Sequence, residues 1–183
     1  MKKYKKYFRI VEILIFAGLV GAICYMQYDS IERTQARERD IVRISSLNDI
    51  RAALEEYQDQ NGYYPPCLYK KAGCVSLEGS EPMATVPTDP LTDGPYTFAA
   101  FGSGSACTCY HIGTSLERTA SQALLVGSDA PPQPASALCT GSDADFSGLS
   151  YAPAGKLCNA TAGTAQPTDS SDGETCFDLK NRK

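Results

Sequence analysis

The chain holds 183 residues, 43% hydrophobic and 21% charged, with a net charge of −4, eight cysteines, one histidine and no tryptophan. That length allows one or two domains, and a mean hydropathy of −0.26 excludes a protein that crosses a bilayer many times, while leaving room for one anchor. The single His111 excludes sites built from two or three imidazoles of one chain, and the acidic balance argues against a general nucleic-acid binder.

Residues 1–7 form a basic leader: Lys2, Lys3, Lys5 and Lys6, joined by Arg9, carry positive charge with no acid among them. From Ile10 to about Tyr28 the chain is mostly apolar, and Glu12 is its one charged residue. A transmembrane segment over 8–28 with a positive-inside flank follows. The charge distribution has the same polarity, net +1 over residues 1–60 and net −5 over residues 61–183. A cleaved secretory signal wants an A-x-A-like site, and none stands out. A lipoprotein signal wants a small residue before its cysteine, but Ile23 precedes Cys24. An uncleaved anchor fits everything but Glu12, because an acid inside a membrane helix is costly and marks function by default; the alternative is an interfacial Glu12 beside Arg9. Gly18 and Gly21 suit either close helix packing or the ordinary glycine content of a membrane helix.

Residues 29–61 continue the helix. No Gly or Pro occurs from Ile31 to Gln60, and Ile41, Ile44, Leu47, Ile50, Leu54 and Tyr57 recur at spacings of three and four, an amphipathic stripe. Asn61-Gly62 supplies a stop. Residues 8–60 together predict a helix of about 80 Å at about 1.5 Å per residue. Beyond it, residues 62–183 are an exported, β-rich domain with long loops. Tyr96–Phe101 and Ala106–Gly113 predict a hairpin around Gly102–Ser105, Gln122–Val126 a third strand, and Cys176–Leu179 a terminal one. An α+β fold follows, the long helix packed on a small antiparallel sheet.

Seven cysteines fall in this domain: Cys67, Cys74, Cys107, Cys109, Cys139, Cys158 and Cys176. In an exported domain with little core material they read as disulfide staples, three bonds and one thiol left over. Cys67 with Cys74 is the pair closest to a short turn. Cys158 with Cys176 would close the tail, and Cys107 or Cys109 with Cys139 would tie the hairpin to the next loop, although spacing alone does not fix connectivity. Asp143 and Asp145 suggest calcium weakly, since that ion wants six to eight oxygens. His111 reads as a sheet side chain. No G-x-S-x-G elbow, P-loop or paired-acid cleft motif occurs, so no catalytic residue is expected.

The basic leader, Phe8 with Glu12 four residues on, and the apolar helix that becomes amphipathic resemble the type IV pilin and type II secretion pseudopilin class. Arg39–Ile50, Leu54–Tyr57 and Asn61-Gly62-Tyr63-Tyr64-Pro65 are similar to the helix end of the major-pseudopilin-like group, as are Val86–Pro90 and Tyr110–Glu117. The likeness spans residues 1–126. It implies a filament subunit that assembles through its N-terminal helix. It further implies cleavage by prepilin peptidase between Tyr7 and Phe8, N-methylation of Phe8, and pairing of Glu12 with a neighbour's amine. The same class often holds calcium in this domain. Its partners would be copies of itself, other pilins, the membrane and the assembly machinery, with no nucleic acid established. Its location would be the cytoplasmic membrane with the C-terminal domain exported, then a cell-surface filament. The second reading is an uncleaved single-pass protein displaying a binding domain. Tyr7, standing where the class ordinarily has Gly, separates the two.

Overall fold

The computed structural model describes residues 2–118, 123, 127–128, 133–146 and 176–181. Helix α1 (Lys2–Asn61) runs without interruption, as a segment free of Gly and Pro beyond Gly21 should. The chain divides into two compact units, Met1–Glu38 and Arg39–Lys183. The second unit therefore begins inside α1 and not at residue 62, because the helix after Arg39 supplies one side of its core.

That side is an alternation of three and four. Asp40, Arg43, Leu47, Ile50, Leu54 and Tyr57 are all buried, which places them on one stripe of the helix. Ile41, expected on the stripe, is exposed instead. Its apolar character is out of phase by one residue, and two charged side chains occupy the buried positions at that level. The helix ends where Gly62 takes a φ of +81° and its N–H reaches the Gln58 carbonyl at 2.7 Å, a conformation that glycine adopts without strain.

Strands β1 (Thr97–Ser103) and β2 (Ala106–Ser115) form an antiparallel hairpin. It turns through Gly104-Ser105 alone, two residues tighter than expected. Strand β3 (Cys176–Lys180) pairs antiparallel with the other edge of β2, giving the order β1-β2-β3. The strand expected over Gln122–Val126 lies, apart from Ala123, outside the described residues. A bulge sets Phe101 opposite Cys109 and Gly102 opposite Cys107, so Thr108 is the extra residue.

Alternation along the strands gives the sheet two faces. Phe98 and Ala100, Tyr110 and Ile112, and Phe177 and Leu179 share one core with Leu47, Ile50, Leu54 and Tyr57. Each large apolar side chain fully buried there stabilises the fold by about 1.5–3 kcal/mol. Cys176 and Phe146 form a smaller cluster apart from that core. Gly113 makes the approach of Phe146 feasible: a Cβ there would stand 2.6 Å from the ring.

Candidate assembly site

In the first unit, α1 carries a stretch long and apolar enough to cross a membrane once, and none of it is buried against the described residues. Val11, Ile13, Leu14, Ile15, Phe16, Leu19, Val20, Ile23 and Met26 are all exposed. An apolar surface of that extent requires cover from outside the chain. Glu12 is exposed on this stretch, and a side chain at Gly18 or Gly21 would meet nothing within 4 Å. Cys24 is an exposed free thiol. Tyr7 and Phe8 lie near the start of α1, and their side chains fall outside the described part.

In the second unit, the first buried turn of α1 is held by charge. Arg43 spans three acids. Its Nε and Nη2 donate to Asp89 at 2.6 and 3.2 Å, and its Nη1 donates to Asp40 at 2.9 Å and to Glu117 at 2.6 Å. Arg39 donates from Nε and Nη2 to both oxygens of Glu117, at 2.7 and 2.5 Å. Asp40 accepts from the backbone N–H groups of Glu117 and Arg118 as the chain leaves β2. Asp89 also caps the N–H groups of Leu91 and Thr92.

Burial opposes the charge on Arg43, but its bonds to Asp89 and Glu117 outweigh that and raise its pKa. Burial likewise pushes the Asp89 carboxyl up, and the Arg43 guanidinium with two backbone donors brings it down to about 2. Glu117 is lowered chiefly by its bond to Arg39. These bonds join the helix, the 86–94 loop and the end of β2. Farther along, Glu55 accepts from the hydroxyls of Tyr64 and Tyr110, at 2.8 and 3.0 Å.

Two disulfides lie wholly within the described residues. Cys67–Cys74 closes the first loop after the helix, and Cys107–Cys139 ties β2 to the segment that flanks β1. Cys176 is bonded as well, and the Cys158 expected as its partner lies outside the described residues. Cys109 is a half-buried free thiol. The bulge at Thr108 separates the environments of Cys107 and Cys109, which strict alternation would have made alike.

The calcium expectation gains no support, because the two acids face different partners. Asp143 pairs with Lys71 at 2.8 Å on the surface, while both oxygens of Asp145 are taken, by His111 and by the N–H of Gln133. No group of three or more His, Cys, Asp or Glu side chains among the described residues is arranged to hold a metal ion. His111 itself is buried, with Nδ1 2.8 Å from Asp145 and Nε2 2.7 Å from Asp178. Sequence reading missed this arrangement. The available signal was Asp178, an acid set inside the apolar strand Cys176–Leu179.

Neither a family model, nor a curated protein, nor a solved structure matches the chain.

Proposed function

We propose that this chain is a structural subunit of a type IV pilus-like or type II secretion pseudopilus filament, inserted in the membrane through residues 8–28 and assembling through its N-terminal helix. One observation carries the reading: an apolar helical stretch, uncovered by its own chain, runs on without a break into a helix that forms one wall of a disulfide-tied α+β domain. The membrane covers the stretch first, and neighbouring helices replace the lipid on assembly. Glu12 then finds a cationic partner in the amine of an adjacent subunit, which a carboxylate in hydrocarbon requires. Tyr7 favours a second reading, an uncleaved anchored protein that displays its domain singly, because without cleavage the Phe8 amine never forms.

Mass spectrometry of the N-terminal peptide from native membranes tests the choice. Methylated Phe8 at the mature terminus is the expected result, and intact Met1 in every molecule would replace the filament with the anchored monomer. Glu12→Ala and Glu12→Leu are expected to reduce filament incorporation while leaving the domain folded. Wild-type incorporation by both would remove Glu12 from assembly.

A further inference from the structure

We propose that His111 is a pH-operated clasp: its imidazolium, held between Asp145 and Asp178, fastens β3 and the 133–146 segment to the sheet, and loss of its proton loosens both. The proposal is independent of the filament reading, since it concerns the domain alone.

The argument begins with donors and acceptors. A neutral imidazole has one N–H and one bare nitrogen, and an ionised carboxylate only accepts. Here both ring nitrogens stand within 2.8 Å of a carboxylate oxygen. With both acids ionised, only the doubly protonated ring satisfies both contacts. With neutral His111, a lone pair would face a carboxylate at hydrogen-bond distance in a site where water cannot intervene. Ring and acids are all buried.

The second oxygens are already committed, Asp145 to the Gln133 N–H at 2.6 Å and Asp178 to the Ser128 N–H at 3.1 Å. Phe146 closes one face of the ring, stacked at 3.9 Å and 17°, where its π-cloud favours a cation. Other titratable groups nearby are Lys180, opposite His111 in the β2–β3 register and exposed, and Cys109, two residues earlier on β2. Ala99, opposite on β1, does not titrate, and Asp143 turns away to Lys71.

Burial by itself would lower the His111 pKa, but the bonds and charges of the two acids win and raise it. A raised folded value places the sign: the contribution is complete below the unfolded value near 6.5 and is lost as pH rises through the folded one. His111 lies on the central strand, Asp145 on the loop and Asp178 on the last strand. Deprotonation therefore weakens contacts across three segments distant in sequence, while Leu47, Ile50 and Leu54 keep the part of the core they share with Phe98, Ala100, Tyr110 and Ile112.

Because His111 is the only histidine, ¹⁵N-histidine NMR of the full-length chain in detergent micelles reports it without assignment. Two protonated ring nitrogens and a midpoint above about 6.5 are expected. Hydrogen exchange, corrected for intrinsic rates, is then compared one unit below and one unit above that midpoint. Across that interval, amides of Phe177–Lys180 and Gln133 should lose up to about tenfold in protection, the limit that a single-proton linkage sets, while Phe98 and Ala100 of β1 stay unchanged. His111→Gln should fix the loosened pattern at every pH. A neutral ring at pH 6, a midpoint at or below 6.5, or pH-indifferent protection of β3 in the wild-type chain would each overturn the clasp, and the wild-type titration decides even if the variant fails to fold.

Discussion

Residues 11–31 and residues 40–57 belong to one helix, yet the first stretch keeps Ile13, Leu14 and Phe16 exposed while the second buries Leu47, Ile50 and Leu54 completely. Helix propensity does not account for the difference, since the first stretch is helical despite Gly18 and Gly21, and apolar residues occur in both. What differs is the solvent each is built for. The second stretch presents a narrow stripe to a sheet that its own chain provides; the first is mostly apolar around the helix, with Glu12 near its start, and exposes that surface. A single secondary structure thus serves two environments, and the change falls near Arg39, where charged residues begin to take buried positions.

Arg43 is the sharpest point at which to break that contrast. Its side chain is only 4% exposed and binds three carboxylates. Removing Arg43 takes the cation from Asp40 and Asp89, which keep their bonds to backbone N–H groups, and leaves Glu117 with Arg39; losing one partner of a buried ionic cluster in this way costs about 3 kcal/mol. Arg43→Ala should therefore lower the unfolding midpoint of the Arg39–Lys183 unit strongly, read by near-ultraviolet tyrosine signals of the full chain in detergent. Acid should mimic it. The Asp89 carboxyl is held near 2 in the folded chain, so its contribution is complete above about pH 4 and is lost as pH falls toward 2. An Arg43→Ala domain as stable as wild type, with the same acid midpoint, would show that the charges merely decorate the helix.

Much of this domain was legible in the sequence. The hairpin, the terminal strand and the buried half of α1 follow from periodicity, because alternation of two and of three-to-four reflects local geometry. The charged anchor was not legible, for a physical reason. Asp40 and Arg43 stand three residues apart on the helix, but their partners Asp89 and Glu117 stand dozens of residues away, joined only when the sheet closes on the helix. The same holds for His111, whose partners come from a loop and from the last strand. Local patterns reveal which face is apolar, but not which polar residues the fold will bury together.

The disulfides allow a finer comparison within the domain. Cys107–Cys139 spans 32 residues and Cys67–Cys74 spans 7. If each acts by restricting the unfolded chain, the longer loop contributes about 3.7 kcal/mol and the shorter about 2.4. Paired Cys→Ser variants in a Cys24→Ser, Cys109→Ser background, which removes both free thiols found among the described residues, should fall in that order of thermal stability. Equal losses would place their value in native packing and not in loop closure.

The smallest effect is the most telling for the helix as a whole. Phe16 is 70% exposed and Leu14 66%, so Phe16→Ala or Leu14→Ala removes little that is buried among the described residues. The domain's unfolding midpoint should move by no more than about 0.5 kcal/mol, whereas Ile50→Ala, fully buried on the same helix, should cost about 2–5 kcal/mol. Membrane retention and filament incorporation should show the reverse sensitivity. In the filament proposed above, the apolar surface at Phe16 and Leu14 would meet lipid or a neighbouring helix, and van der Waals packing there would be the force that holds subunits together. If Phe16→Ala destabilised the domain as Ile50→Ala does, the first stretch would be folding back onto its own chain, and the division of one helix between two environments would fail.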